Sequence, residues 1–194
     1  MTRRIFLVLS LVFPSLASSA TASTADAEQF LRKSIDEVVT VTGRIKDRKS
    51  VVDQLRPVLM RRVSFGTMAK RSVGPGWRQL SPDQQKRAIE LFTTLVIRTY
   101  SSKFTPGERP QVTYKAAKSV DAGRVDVATT AVYLGSRYNV TYRMEKEGEW
   151  KITDVVIEGV SLVANYRSQL DAEFKKGGAS QVIASLEQSV TRPQ

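Results

Sequence analysis

The segment 150–170 changes its hydrophobic period, and this change limits the folds open to the chain. Up to residue 158, apolar and polar side chains alternate, with Trp150, Ile152 and Asp154 sharing one parity, which predicts a strand. After Gly159 the apolar residues recur at three- and four-residue steps, which predicts a helix. Glycine suits the junction because it adopts backbone angles that other residues resist. The chain must therefore place a sheet directly beside a helix.

Residues 1–22 have the composition of a secretory signal peptide. Two arginines form a positive start, an apolar run follows, and small residues at 18–22 offer a cleavage site. The apolar run is shorter than the roughly twenty residues that a membrane-spanning helix needs. We therefore expect residues 23–194 to be exported as a single domain, large enough for a sizeable core.

Cysteine and histidine are both absent. Their absence excludes disulfides, zinc sites built from Cys and His, and Ser-His or Cys-His catalysis. Lys and Arg number 30 against 19 Asp and Glu, a formal net charge of +11. In an exported chain this charge favours phospholipid headgroups, lipopolysaccharide or an acidic protein as partner, although its short clusters are equally typical of a solvated surface. We expect no nucleic-acid partner, no metal and no cofactor.

The first part of the mature chain has helical periodicity. The predicted helices are residues 25–42, 50–60, 64–72 and 81–104. Pro57 leaves the end of the second helix open. The last of the four has the strongest signals, because Ser81 and Gln84 form a capping box and a broad apolar stripe follows.

The second part has strand-like alternation with turn residues at regular intervals. The predicted strands are residues 111–117, 124–134, 137–146 and 149–158. Glycine-containing turns join them, which predicts an antiparallel meander. Residues 161–190 predict C-terminal helices, the first of which ends at Gly177-Gly178. The predicted fold class is α+β, a curved four-stranded antiparallel sheet covered by N-terminal and C-terminal helices.

The sequence contains no recognisable catalytic constellation. It lacks a phosphate-binding glycine loop, a dinucleotide fingerprint and a Ser-x-x-Lys pair. Glu145, Glu147 and Glu149 bracket a predicted hairpin and indicate a solvated turn, not ligands for a hard cation. Asp154 and Glu158 make a poor glycosidase pair, because nothing places a sugar near them. A binding protein with an apolar pocket fits better than an enzyme.

Three blocks of the chain occur in a familiar order and spacing. They are FGTMAKRSVGPGWRQLSPDQQ at 65–85, FTTLVIRTYSSKF at 92–104 and WKITDVVIEGVSLVANYRSQL at 150–170. Together they resemble the MlaC / toluene-tolerance family of periplasmic phospholipid-binding proteins, which includes a hopanoid-associated branch. The most specific part is D-x-x-x-E-G-V-S-L-x-x-N-Y-R at 154–167, and Gly66 departs from the acidic or amide residue usual in the family.

The resemblance implies a cone-like fold with an apolar cavity and a non-enzymatic, monomeric periplasmic carrier of phospholipid. Its implied protein partners are an inner-membrane lipid-transporter complex of the ABC type and an outer-membrane lipoprotein complex. Residues implied to lie near the acyl tails are Phe65, Met68, Trp77, Phe92, Leu95, Tyr100, Tyr133, Tyr142, Trp150, Val163 and Tyr166. Asn165 and Arg167 are implied to meet the headgroup.

We also expect Glu158, Gly159 and Val160 to form a hinge that moves the last helix against the sheet and opens the cavity. Two alternatives stay open. One is a non-enzymatic envelope adaptor or regulator with a solid core. The other is a hydrolase of envelope lipid or glycan, which would need a carboxylate with a strongly raised pKa inside a cleft.

Overall fold

The helices occupy both ends of the chain and the strands lie between them. The computed structural model describes residues 24–192, so the predicted signal peptide lies outside the described residues. The helices are α1 (Thr24–Thr42), α2 (Val51–Arg62), α3 (Phe65–Val73), α4 (Pro82–Ser101) and α5 (Leu162–Thr191), with 3₁₀ turns at Arg48–Ser50 and Gly74–Gln79. Among the described residues, none of these helices is both long and apolar enough to cross a membrane.

The predicted capping box at the start of α4 is confirmed. The Gln84 backbone N–H donates to Ser81 Oγ at 3.2 Å, and the Ser81 N–H donates to Gln84 Oε1 at 2.9 Å. The helix ends at Ser101, three residues before the predicted end, where the amides of Lys103 and Phe104 bond three residues back in tight turns. Helix α2 continues through Pro57 to Arg62.

The six strands of the described chain form one antiparallel sheet. They are β1 (Gln111–Tyr114), β2 (Lys118–Asp121), β3 (Arg124–Tyr133), β4 (Ser136–Glu147), β5 (Glu149–Ile157) and β6 (Val160–Ser161). The strand order is β1-β3-β4-β5-β6, and β2 also pairs with β3. The predicted meander flanked by helices is confirmed, but its strand number of four is wrong.

The first predicted strand continues further than its sequence pattern indicates. Tyr114 pairs with Thr129 and Lys118 pairs with Asp126, so the edge strand carries one extra residue between β1 and β2. Such a bulge interrupts the alternation that marks a strand. All four β2 residues are exposed, so the sequence has no apolar periodicity there that would predict a strand.

Helix α5 bends back on itself at the predicted glycine pair. Gly177 and Gly178 have non-helical backbone angles, and Gly178 has a φ of +64°. The two halves of α5 form a helical hairpin whose second half buries Val182 and Leu186 completely or nearly so. The predicted stop at this position is therefore confirmed.

Three apolar clusters make up the interior. The helical cluster joins α3, α4 and both halves of α5 around Phe92. The sheet cluster places Leu31 of α1 against Val127 and Met144. The loop cluster packs Ile45 with the first turns of α2.

A close backbone approach holds α5 against the Gly74–Gln79 turn. A Cβ built on Gly76 would lie 2.6 Å from Cδ2 of Phe174, closer than side chains ever approach. We expect Gly76→Ala to lower the free energy of unfolding by about 1–3 kcal/mol, because Phe174 must leave its rotamer or move α5. Urea denaturation measures this. Gly66→Ala is the control, because its nearest neighbour lies at 3.9 Å, and equal losses for both variants would contradict the prediction.

Candidate functional site

Eight of the residues implied to lie near acyl tails belong to the helical cluster. Five are buried and three are half-buried. They are Phe65, Met68, Phe92, Leu95 and Tyr166, and then Trp77, Tyr100 and Val163. Phe92 and Tyr166 meet edge to face with 5.2 Å between ring centroids. The structure therefore brings these eight together, as interior side chains of the helical layer.

The other three implied tail residues lie elsewhere. Trp150 and Tyr142 belong to the sheet cluster under α1. Tyr133 ends β3, where its ring lies 6.3 Å from that of Phe104. The eleven residues thus divide between two layers and do not form one continuous wall.

The three clusters meet through two half-buried side chains, Leu59 on α2 and Val63 directly after it. Val63 contacts both the helical and the sheet cluster, and Leu59 contacts both the helical and the loop cluster. We call this line of contact the seam, defined by Leu59 and Val63. Apolar contacts at the seam are partly solvent-accessible, so a ligand can replace them at a smaller cost than the contacts of a closed core.

Tyrosines near these layers have apolar surroundings. Burial raises the pKa of Tyr142 to about 12. Burial is also the largest cause that raises the pKa of Tyr100 and of Tyr166. Their hydroxyls therefore remain neutral at any physiological pH.

Charged and polar residues make up most of the lining of two clefts on the surface of the described chain, although the second cleft also has apolar residues in its wall. The first has a volume of about 580 Å³ and lies between the two halves of α5, with Gln169, Glu173 and Gln181 among its walls. The second, about 430 Å³, is walled by four arginines and three acids beside the sheet. The apolar cavity implied by the resemblance is neither of these, and it stays a prediction.

A β-bulge sets the chemistry of the second cleft. Arg143 pairs with Asp154 but Met144 pairs with Ile152, so Thr153 is an extra residue in β5. The prediction that Asp154 shares a face with Trp150 and Ile152 is wrong, because the bulge turns it to the opposite face. Asp154 thereby leaves the sheet cluster and faces the start of α5.

Asp154 fastens α5 to the sheet. The residue is buried, with 5% of its surface exposed. Oδ1 accepts the backbone N–H groups of Val155 at 2.9 Å and Val163 at 3.0 Å, while Oδ2 accepts Ser161 Oγ–H at 2.6 Å and Arg143 Nη1–H at 3.1 Å. Ser161 in turn caps α5 by accepting the Ala164 N–H at 3.0 Å. Asp154, the first residue of the 154–167 motif, therefore connects β5 to the start of α5.

Glu145 and Glu147 fasten α3 to the end of β4. Glu145 accepts two hydrogen bonds from Arg71, at 2.7 and 2.8 Å. Glu147 accepts the hydroxyls of Ser64 at 2.9 Å and Thr67 at 2.7 Å, which places a carboxylate at the positive end of α3. The predicted hairpin turn at Gly148 is confirmed and Glu147 is exposed in it, but Glu145 is half-buried, and both acids bond to α3. Gly66 has no side chain that could cap the start of α3, and the carboxylate of Glu147 bonds to this end of the helix.

The Arg71–Glu145 pair predicts a specific acid sensitivity. The hydrogen bonds from Arg71 lower the pKa of Glu145 from its usual 4.5, against the opposing effect of burial. A lowered folded-state pKa contributes stability above pH 4.5 that is lost as the pH falls through the folded value. We expect the free energy of unfolding to fall less between pH 5 and pH 3 in Glu145→Gln than in the parent protein.

Urea denaturation at each pH checks this prediction. Arg71→Gln should reduce the slope in the same way, because it removes the cause of the shift. Slopes equal to that of the parent protein in both variants would contradict it.

The two residues implied at the headgroup are exposed on the first half of α5. Arg167 lines the second cleft, where its guanidinium lies close to the backbone of Gly74. It has no hydrogen-bond or ion-pair partner among residues 24–192. Asn165 lines neither cleft.

The predicted hinge residues form a tight turn. Glu158 and Gly159 have φ values of +48° and +81°, and they connect β5 to β6. The Asn139 N–H donates to the Glu158 carboxylate and the Glu158 N–H donates to the Asn139 carbonyl at 2.9 Å. Val160 is 62% exposed. Movement of α5 about this turn stays a prediction.

No group of three or more His, Cys, Asp or Glu side chains within residues 24–192 converges as a site for a metal ion. The acids in the second cleft face arginines. Their ion pairs join α3 to the sheet through Arg71 and Glu145, and join neighbouring strands through Arg143 with Asp126 and Asp154.

Comparison with known proteins finds a family model and a curated relative that match the chain. The family model described as MlaC protein matches residues 28–188. The toluene tolerance protein ttg2D of Pseudomonas putida is 26% identical over 103 residues, which cover 52% of this chain and 48% of that protein. The chain thus matches about half the length of this curated relative.

A solved structure has the same fold. It is a phospholipid-binding protein from Ralstonia solanacearum in complex with a phospholipid, with a TM-score of 0.78 and 25% identity. The match covers 85% of this chain and 97% of that one. Helices and sheet therefore have the same arrangement in the two molecules over nearly their whole length.

Proposed function

The chain belongs to the MlaC protein family, and from this membership we propose that it is a periplasmic lipid-binding protein. It holds the acyl chains of a phospholipid between its helices and its sheet. It carries the lipid between the outer and inner membranes as a monomer, together with an outer-membrane lipoprotein complex and an inner-membrane transporter of the ABC type. Its role is carriage and not catalysis.

The observation that carries this proposal is the match to a phospholipid-bound protein of the same fold, together with the divided interior. The helical and sheet clusters meet at the seam through half-buried side chains. Separation of the helical layer from the sheet at Val63, and from the loop cluster at Leu59, gives acyl chains two apolar walls. In this proposal Trp77, Tyr100 and Val163 face the chains from one side and Tyr142 from the other, while Arg167 meets the phosphate.

Burial of acyl chains supplies the binding energy. Each buried methylene contributes about 0.8 kcal/mol, so two chains provide far more than a carrier needs. A donor membrane offers nearly the same burial, and transfer is therefore close to isoenergetic. Docking partners and the ATPase of the transporter set its direction.

Opening of the seam requires α5 to move about the Glu158-Gly159 turn. A Cβ on Gly159 would have no atom within 4 Å, so Gly159→Ala adds backbone strain without a clash. Val156 and Ser161 are directly paired across the turn, and cysteines at both positions would lock it when oxidised. We expect slower lipid transfer between labelled vesicles for Gly159→Ala and for the oxidised double variant, with the reduced form of the latter as control. Unchanged rates in both would exclude the hinge.

Mass spectrometry of organic extracts tests the function itself. The mature protein is purified from its native envelope, and we expect about one phospholipid per protein. Hopanoid-related lipid in its place would change the cargo but not the carrier. An empty extract, with no uptake from labelled vesicles, would favour the adaptor alternative.

A further inference from the structure

The loops that follow α1 and α4, residues 43–49 and 102–110, contain many cationic side chains. They carry Arg44, Lys46, Arg48, Lys49, Lys103 and Arg109, all exposed. None of the six has an ion-pair partner within residues 24–192. The same loops carry two carboxylates, Asp47 and Glu108, so positive charge predominates.

Specific contacts hold these loops side by side. The Gly107 N–H donates to the Thr42 carbonyl at 3.3 Å. The Arg109 side chain runs so close to Gly43 that a Cβ there would lie 2.5 Å from Nε. Phe104 packs into the loop cluster. Loops 43–49 and 102–110 therefore bring their exposed cations to one end of the molecule, which we call the basic end.

An exposed leucine projects beside the basic end. Leu134 occupies the β3–β4 turn with a φ of +49° and is 61% exposed. The turn is anchored to the second loop because the Thr105 N–H donates to the Tyr133 hydroxyl. Leucine is unfavourable here for two reasons. A positive φ favours Asn or Gly, and an exposed apolar side chain contributes no burial energy to folding. A costly residue at an anchored tip points to a role outside the fold.

We propose that the basic end docks on the anionic headgroup surface of a lipid bilayer, with Leu134 entering the headgroup layer. Long cationic side chains without fixed partners suit a fluid anionic surface. Three of the six cations are lysines, which are depleted at protein–protein interfaces and so favour a lipid surface, whereas the three arginines suit either occupant. The inference rests on the proposed function in one respect, because docking would bring the seam to the membrane that supplies or receives the lipid.

Vesicle flotation tests the docking. The probes are vesicles of phosphatidylethanolamine with 30% phosphatidylglycerol, and vesicles of phosphatidylcholine alone. We expect binding to the first, weakened by salt, and little binding to the second.

The test variant combines Lys46→Gln, Lys49→Gln and Lys103→Gln. The matched control combines Lys70→Gln, Lys86→Gln and Lys118→Gln, which are also exposed and lie outside the basic end. We expect about 100-fold weaker binding for the test variant and less than 3-fold for the control.

Leu134→Asn separates docking from folding. Asparagine is better suited than leucine to the backbone angles at this turn, so the variant should be at least as stable as the parent protein. Its affinity for anionic vesicles should nevertheless fall about 10-fold.

The absence of cysteine allows one fluorescent probe to be placed at will. A polarity-sensitive dye on Leu134→Cys should shift to the blue with anionic vesicles. The same dye on Ala122→Cys, in the turn at the other end of β3, should not shift. No shift at 134, equal weakening by the two lysine sets, or binding to a partner protein without binding to vesicles would each overturn the proposal.

The two proposals fail separately. Lipid in the organic extract without vesicle docking would overturn the docking surface and leave the carrier function. Docking by a protein that never contains lipid would support the surface and overturn the carrier function.

Discussion

Asp154→Ala is expected to lower the free energy of unfolding by about 3 kcal/mol. The substitution leaves the buried N–H of Val163 and the hydroxyl of Ser161 without their acceptor, and Arg143 without its ion pair. Each lost bond to a charged group contributes about 1.5–3 kcal/mol, and the effects of neighbours sum incompletely. Urea denaturation followed by circular dichroism measures the change.

Asp121→Ala is the matched control for this prediction. Asp121 also pairs with an arginine, Arg124, but both side chains are about half exposed, so its loss should have a much smaller effect on stability. A loss for Asp154→Ala no larger than that of the control would show that α5 is held to the sheet by other contacts.

Phe92→Ala is expected to cost about 3–5 kcal/mol. Phe92 has no exposed surface and packs against Tyr166 at the centre of the helical cluster. The family resemblance implies a place beside acyl tails, whereas the structure surrounds the ring with protein. Thermal and urea unfolding of lipid-free protein distinguish the two, because only a ring packed against protein stabilises the empty fold.

Ile89→Ala on the same helix is the control, since Ile89 is half-buried at the edge of the cluster. We expect about 1–2 kcal/mol for it, in line with partial burial. If Phe92→Ala instead left the stability of lipid-free protein unchanged and lowered its lipid content, Phe92 would be a tail contact and not core.

Local signals in the sequence predict the ends of elements well. The Ser81 capping box, the glycine turns at 135 and 148, and the Gly177-Gly178 stop all depend on residues close in sequence. Backbone angles and helix ends are local properties, so nearby residues are sufficient to indicate them.

Features that depend on distant partners were predicted poorly. The bulge at Thr153 exists because Asp154 pairs with Arg143 and reaches the start of α5, neither of which alternation reveals. From the sequence alone Glu147 is only a turn residue, because its partner Thr67 on α3 lies 80 residues away in sequence. Sequence periodicity also cannot separate an apolar side chain packed in a core from one beside a ligand, as Phe92 and Tyr142 illustrate.

The fold-back of α5 has a consequence for the order of folding. Val182 and Leu186 fill the helical cluster together with Phe65 and Phe92, which lie about a hundred residues earlier. The cluster therefore stays unsealed until nearly all of the chain is available, and contacts of such long sequence separation form slowly. In a chain that crosses a membrane starting from its N-terminus, the helical layer would therefore stay open for almost the whole passage and would close only as the last turns of α5 arrive.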